Sequence, residues 1–513
     1  MPKKKSGSVT LLLILLIAFI LRFVFFVGVG FNDDSYYLHY AARVLESKRF
    51  VPPNDMVTWG TRILVYYPIV ILWTILGLNE FTTSIYGVVC SCLGILVIYS
   101  LGRLLFSKKA GLFAAFLLAF LPADIIYSTQ IGPDIVVSTF VGLVLLFFLR
   151  GELYNKPKDY FLSGLWLGMS YLAKSAIILI LPIILLAFIS ANYKCLSYRE
   201  RLKKWRGYFF MILGFVFVFF LLTWHFYCLT EEIFYVERIR GFSLTHDQNS
   251  NTDLLWYPRV MFNLEPHYFE WIHHVPLFGF YYYFISLATL LLIFKKDKWG
   301  IFFVLWWLWL FFFFEYGLQW VCTNIFDYCL YARHPRFLIM LNIPALLVLG
   351  RALEIIWKKS HILPVLVLGF LIISSLIYAY QSHVFLRNGM LYLKLPAERI
   401  MSMGVKGVEK IYVRTEWIVT KLEFYFKYNK SYLSKLEVFR CGRINCGDEY
   451  FTSGLFINNS YVLIDADPYS QINEFEKPRF VHDIPKSWRL IESYKLKNYG
   501  IFSKLNPRLY LVK

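Results

Sequence analysis

The chain has 513 residues, of which 58% are hydrophobic, 20% aromatic and only 17% charged, with a mean hydropathy of +0.53. Soluble domains average about 45–50% apolar residues, so a purely soluble protein is excluded and a polytopic membrane protein with some soluble mass is implied. The formal net charge of +19 then points to basic loops against an anionic cytoplasmic leaflet, and not to a nucleic-acid partner.

Lys3, Lys4 and Lys5 precede an apolar run, Val9 to Val29, long enough to cross a bilayer. No small-residue cleavage site precedes Asp33, so the run reads as an anchor and not as a cleaved signal. Its basic flank puts the N-terminus in the cytoplasm. The stretch Phe31-Asn32-Asp33-Asp34-Ser35-Tyr36-Tyr37 follows at the outer mouth. A carboxylate there can take a proton from a hydroxyl or hold a cation. The plainer alternative is a solvated turn in which Asn32 or Asp33 caps the next helix. Tyr36, Tyr37, Tyr40, Ala41 and Val44 lie at helical spacing within the polar stretch 32–62, which predicts an interfacial helix.

Residues 63–78 are apolar, but a crossing there would leave Arg103, Lys108 and Lys109 outside. The run is therefore expected to be re-entrant or interfacial. Spans are predicted at about 83–102, 110–127 and 135–149, with a second acidic site, Pro133-Asp134, between the last two on the outer face. The run 161–190 carries Lys174 in its middle and has basic segments on both sides. Two inside flanks require an even number of crossings, which predicts a pair of half-length helices with Lys174 near their outer turn. Broken helices at membrane depth line cavities; the alternative is a lysine snorkelling to the interface. Further spans are expected at 208–228, 276–294, 300–320, 337–357 and 361–380. The result is about eleven transmembrane helices with an external C-terminus. Its six inside segments hold 21 Lys and Arg in 54 residues, against 10 in 109 for the outside segments before the tail. That is the positive-inside bias.

Beyond residue 380 the apolar runs shorten to strand length: Lys410 to Arg414, Tyr461 to Asp465, Trp488 to Tyr494 and Arg508 to Val512. Thr415 to Tyr428 is patterned as an amphipathic helix. Residues 1–380 thus form a membrane domain and 381–513 a small extracytoplasmic α/β domain. Cys322 with Cys329, and Cys441 with Cys446, fall outside in this topology, which suits disulfides in an oxidising space. Glu270 and His274 are four apart, so one helical face could offer both to a divalent metal; an interfacial aromatic helix with polar decoration is the reading adopted, and no metal or other cofactor is assigned.

The unusual polar residues, Asp33, Asp34, Asp134, Lys174, Arg333, His334 and Arg336, all fall on the outer side. Carboxylates beside fixed cations suit a two-part chemistry, in which an acceptor hydroxyl is deprotonated while a leaving phosphate is held. Neither GxGxxG nor GxxxxGK[ST] occurs, so the expected donor is a lipid carrying its activated group on phosphate. A transporter or lipid flippase is the competing reading, since it too would need charges near membrane depth. No internal two-fold repeat supports it.

At these residues the chain resembles the GT-C class of membrane glycosyltransferases, and within it glycosyltransferase family 39, the dolichyl-phosphate-mannose–protein mannosyltransferase-like proteins. Asp33-Asp34-Ser35-Tyr36-Tyr37 followed by Ala42-Arg43-Val44-Leu45 resembles the first-loop acidic motif. Tyr67-Pro68, Gly102-Arg103 with Leu105-Phe106, and Pro133-Asp134 agree in order and spacing. The run from Gly164 to Lys174 is similar to the family's GLxxGLAxLTK turn, and Arg336-Phe337-Leu338 with Pro344 to its RYLLPxLP helix. The family commonly has Asp-Glu where this chain has Asp33-Asp34, which leaves open which of the two is the base. After Lys174 the chain reads Ser-Ala-Ile where the family has Gly-Pro. The resemblance implies inverting transfer of one sugar from a polyprenyl phosphate to an extracytoplasmic hydroxyl on a protein, glycan or glycolipid. Asp33 stands where the family's first acid stands and is expected to be the base, with Asp34 and Asp134 orienting the acceptor or supporting cations. Lys174, Arg333 and Arg336 are expected to bind the donor phosphate.

Overall fold

The computed structural model describes residues 6–29, 34–47, 58–192, 198–246, 255–264, 277–316, 334–413, 416–438, 459–464, 489–494 and 508–512. Helices dominate. In chain order they begin with α1 (Ser6–Val24), α2 (Asp34–Ser47), α3 (Ile63–Leu76), α4 (Glu80–Leu105), α5 (Lys108–Phe120), α6 (Pro122–Tyr127), α7 (Pro133–Tyr154) and α8 (Pro157–Ala173). They continue with α9 (Leu181–Ala191), α10 (Tyr198–Thr230), α11 (Tyr235–His246), α12 (Trp256–Phe262), α13 (Tyr281–Phe294), α14 (Lys298–Tyr316), α15 (Asn342–Trp357) and α16 (Ile362–Met403).

Local sequence explains the boundaries. Proline opens α6, α7 and α8, where its missing N–H costs nothing and its φ already suits a helix. Asn79 caps α4: its side chain accepts from the Thr82 N–H at 2.9 Å and its own N–H donates to the Thr82 hydroxyl at 3.2 Å. Asn155 ends α7 in the left-handed conformation, φ 52.

Six helices among the described residues are long and apolar enough to cross a membrane: Glu80–Leu105, Pro133–Tyr154, Lys204–Thr230, Lys298–Tyr316, Pro335–Trp357 and Ile362–Arg387. The protein is accordingly an integral membrane protein. Eleven such spans are not seen among the described residues. Ser8–Val24, Ile63–Leu76, Ser175–Ala191 and Tyr281–Phe294 are apolar but shorter, and the expected span 110–127 is split at Leu121 into α5 and α6. At 1.5 Å per residue a helix of α5's 13 residues reaches only about 20 Å, short of a bilayer's apolar core.

The apolar segment of α7 is 89% buried and that of Pro335–Trp357 is 83% buried, so these two form the centre of the bundle. The apolar segments of α10 and α16 are 22% and 28% buried and turn most of their surface outward, as lipid-facing helices do. Inside the bundle, Arg22 of α1 is fully buried; it donates to Asp124 Oδ1 at 2.6 Å and to Ser91 Oγ at 2.8 Å. This ties α1, α4 and α6 together by a paired buried charge, the arrangement that makes such a charge tolerable.

The run 161–190 breaks at Lys174. The helix α8 stops at Ala173, Lys174 is extended (φ −163, ψ 131), and a 3-10 turn, Ser175–Ile180, leads into α9. The helix α16 is 42 residues long and passes through residue 381, so the expected boundary falls inside a continuous helix. Its apolar portion ends at Arg387 and the rest forms a stalk. Beyond it lie β1 (Ile411–Val413), α17 (Glu416–Tyr425), β2 (Leu436–Val438), β3 (Tyr461–Ile464), β4 (Arg489–Ser493) and β5 (Arg508–Leu511). The sheet has the order β2-β1-β3-β5-β4, with β1 parallel to β2 and β3, and β5 antiparallel to β3 and β4. Four of these strands coincide with the predicted ones; β2, Leu-Glu-Val, has a charge at its centre and so shows no apolar run. Cys322, Cys329, Cys441 and Cys446 lie outside the described residues.

Candidate active site

Two helix N-termini carry the acids. Asp34 is the first residue of α2 and is 1% exposed. Asp134 is the second residue of α7 and is also buried. Negative charge in a first helical turn is favoured by the helix dipole.

Their partners differ. Asp134 Oδ1 accepts from Lys174 Nζ at 2.8 Å, and its Oδ2 lies 3.5 Å from Arg336 Nε. Asp34 Oδ2 accepts from the backbone N–H of Ile131 at 3.2 Å. The helix break leaves Lys174 at the end of α8, with Nζ 4.1 Å from the centre of the Phe337 ring. A cation over an aromatic face gains electrostatically. Arg336 lies in the first turn of a 3-10 helix, Pro335–Leu341, and its backbone N–H donates to His334 Nδ1 at 3.2 Å. The His334 backbone is held in turn by Tyr257, whose hydroxyl donates to the His334 carbonyl at 3.3 Å.

Asp34, Asp134 and Arg336 line one small cleft, with Tyr127 and Gln130 among its other walls. Cations continue to one side. Arg62 donates to the Tyr37 hydroxyl at 2.7 Å and lies within electrostatic reach of both Lys174 and Arg240. Arg240 donates through Nε to Thr61 Oγ1 at 3.1 Å and through Nη2 to the Tyr171 carbonyl at 3.1 Å. Its guanidinium stacks 4.3 Å from the Tyr171 ring, and its buried Nη1 meets no hydrogen-bond partner among the described residues.

Of the expected site residues, Asp34, Asp134, Lys174 and Arg336 are brought together from four separate parts of the chain. Asp33 and Arg333 lie outside the described residues, as do Glu270 and His274. Among the described residues no group of three or more His, Cys, Asp and Glu side chains is arranged to hold a metal. Sequence reasoning misses Arg62 and Arg240. Arg62 sits directly before the apolar run 63–78, and Arg240 in the polar outer segment before Trp256. Both read as loop charge; only the fold brings Arg62 near Lys174 and Arg240 near Arg62.

The family model for dolichyl-phosphate-mannose-protein mannosyltransferase matches residues 62–224. That segment contains Asp134 and Lys174. No curated protein matches the chain in sequence. The fold is similar to the crystal structure of ArnT from Cupriavidus metallidurans bound to undecaprenyl phosphate, with TM-score 0.61 and 12% identity over 99% of this chain and 98% of that one. The same protein in its apo state gives TM-score 0.59 and 13% identity with the same coverage. The archaeal oligosaccharyltransferase AglB from Archaeoglobus fulgidus, in complex with an inhibitory peptide and a dolichol-phosphate, gives TM-score 0.51 and 15% identity over 90% of this chain and 69% of that one. Residues 62–224 thus match the family model for dolichyl-phosphate-mannose-protein mannosyltransferase, and the chain shares the fold of the ArnT and AglB structures.

Proposed function

We propose that the protein transfers a single sugar, with inversion, from a polyprenyl-phosphate carrier to an acceptor hydroxyl on the outer side of the membrane. The observation that carries this reading is the cleft itself: a buried carboxylate, Asp34, and a cation, Arg336, line it together with Asp134, which is paired to Lys174. The lipids bound in the similar structures, undecaprenyl phosphate and dolichol-phosphate, support a lipid phosphate as the donor class.

In the reaction a first-loop carboxylate takes the acceptor's proton. The acceptor oxygen attacks the anomeric carbon from the face opposite the phosphate. The bond between that carbon and the phosphate oxygen breaks, and the electron pair leaves with the polyprenyl phosphate. Arg336 and Lys174 offset the charge that grows there, with Arg333 as a third cation in the proposed set. Arg62 and Nη1 of Arg240 extend the same cradle. Asp134 has a cation beside each oxygen, Lys174 Nζ at 2.8 Å and Arg336 Nε at 3.5 Å, and in this reading it orients those two cations. Asp33 and Asp34 are the two candidates for the base: Asp33 by its resemblance to the family's first acid, and Asp34 as a residue that lines the cleft.

Two measurements test the reading. Mass spectrometry of glycans and glycolipids from a deletion strain should show one sugar missing, which also names it; an unchanged profile overturns the proposal. Undecaprenyl phosphate should bind the purified protein, and Lys174→Ala and Arg336→Ala should each weaken that binding. Equal binding by wild type and both variants would place the phosphate elsewhere.

A further inference from the structure

A second charged cluster lies away from the cleft, where the stalk of α16 meets the start of α4. Its centre is Glu80, the first residue of α4, with a side chain 14% exposed. Glu80 Oε2 accepts from Arg387 Nη2 at 3.0 Å and from Lys394 Nζ at 3.1 Å. Its Oε1 accepts from the Tyr425 hydroxyl of α17 at 3.3 Å. Burial, and then the Glu80 charge, push the Tyr425 phenol well above its ordinary pKa, so it stays protonated and remains a donor. One carboxylate therefore joins the membrane bundle, the stalk and the sheet domain.

Arg387 also reaches further. Its Nη1 donates to the Val27 carbonyl at 2.8 Å. Val27 lies in the short segment that leads from α1 towards α2. The other side of that segment is held by Thr129: the Val27 N–H donates to Thr129 Oγ1 at 3.1 Å and the Gly28 N–H to the Thr129 carbonyl at 3.3 Å. Two residues after Thr129, the Ile131 N–H holds Asp34. The approach is close: a Cβ on Gly28 would come within 2.9 Å of Arg387 Nη1, and its φ of +92 favours glycine there. The sheet domain touches α2 directly as well, through the Tyr428 hydroxyl donating to the Leu38 carbonyl at 3.2 Å.

We infer that Glu80 and Arg387 are positioning residues: together they clamp the Val27–Gly28 segment against Thr129 and so set the place of Asp34 in the cleft, with the C-terminal domain joined to that clamp through Tyr425. The inference rests on the glycosyl-transfer reading for its kinetic consequence. Its structural consequence is independent of that reading.

The test uses the full-length protein in lipid nanodiscs and two variants, Arg387→Ala and the isosteric Glu80→Gln. Hydrogen exchange of residues 25–41 should rise in both variants while α7 and α15 keep their protection. Turnover should fall about 10- to 100-fold, the scale of a small misplacement of a reacting group. Donor KM should stay within about twofold, because the phosphate is held by cations on other elements. Arg387→Lys, which keeps the charge and one donor, should recover most of the turnover. Unchanged exchange of residues 25–41 in Glu80→Gln overturns the clamp, whatever the activity. So does a loss of donor affinity equal to the loss of turnover. If exchange rises as expected but wild type moves no sugar, the clamp stands and the glycosyl-transfer reading fails. Should Arg387→Ala not fold, Glu80→Gln and Arg387→Lys decide the matter alone.

Discussion

Asp34 and Asp134 are alike in sequence context, each in the first turn of a helix, yet their surroundings assign them different chemistry. Two cations lie beside the oxygens of Asp134, one hydrogen-bonded and one at 3.5 Å, which suits it to hold cations. Asp34 opens on the cleft and accepts a backbone N–H. Replacing Asp34 by Asn keeps the shape and removes the proton acceptor, so turnover should fall about 10²–10⁴-fold with the fold intact. The matching Asp33→Asn protein, assayed beside it, identifies the base: the carboxylate whose loss costs more in turnover at saturating donor is the one that takes the proton. Lys174→Ala is expected to do two things at once. It leaves a buried carboxylate short of one partner, at a cost of about 3 kcal/mol, and it removes a cation from the phosphate cradle. A lowered Tm together with weaker binding of undecaprenyl phosphate would show both; an unchanged Tm would mean that Arg336 alone compensates.

At the scale of elements, the contact that positions Lys174 is the crossing of α8 and α10. A Cβ on Gly164 would lie 1.9 Å from the Met211 carbonyl oxygen, and one on Gly214 2.3 Å from the Phe161 carbonyl oxygen. The two backbones therefore touch, as small residues allow between membrane helices. Gly164→Ala cannot be absorbed by a flexible side chain, because the atoms it meets are backbone. The expected result is separation of the helices, a loss of about 1–3 kcal/mol as for other overpacked sites, and reduced turnover through displacement of Lys174. Thermal unfolding in detergent checks the first effect, and a Tm equal to wild type would show that the helices can part here without cost. The break after Ala173 belongs to this scale too. It ends α8 where Lys174 can turn to Asp134, and the 3-10 turn then lets α9 return through the bundle.

For the whole molecule, the sheet domain is not an appendage. It is joined to the bundle by the continuous helix α16, and α17 packs against α2, the helix that begins with Asp34. The charge bias of 21 Lys and Arg on the inside segments against 10 outside predicts that this domain and the cleft share the outer side. A reporter that works only in the cytoplasm, fused after Lys513, should be silent; activity there would reverse the orientation of the chain and put the acids on the wrong face.

Some of this was legible in the residues themselves. Apolar runs show membrane helices because the bilayer rewards nothing else. Short apolar runs show four of the five strands among the described residues. Lys174 announces a break because a cation in mid-run must find either an interface or a partner. Asp34, Asp134, Lys174 and Arg336 stand out as charge at apolar boundaries, which is a local property. What they do to one another is not local. That Asp134 stands between two cations on the cleft it shares with Asp34 follows from α7, the helix break and the 3-10 turn at Arg336 meeting in space. Arg62 and Arg240 look like ordinary loop charge until folding sets Arg62 near both Lys174 and Arg240. Glu80 and Arg387 are 307 positions apart and carry no pattern that relates them. Sequence determines where burial would cost too much for a charge to stand alone; only the tertiary structure decides which opposite charge meets it, because that choice depends on how the helices cross.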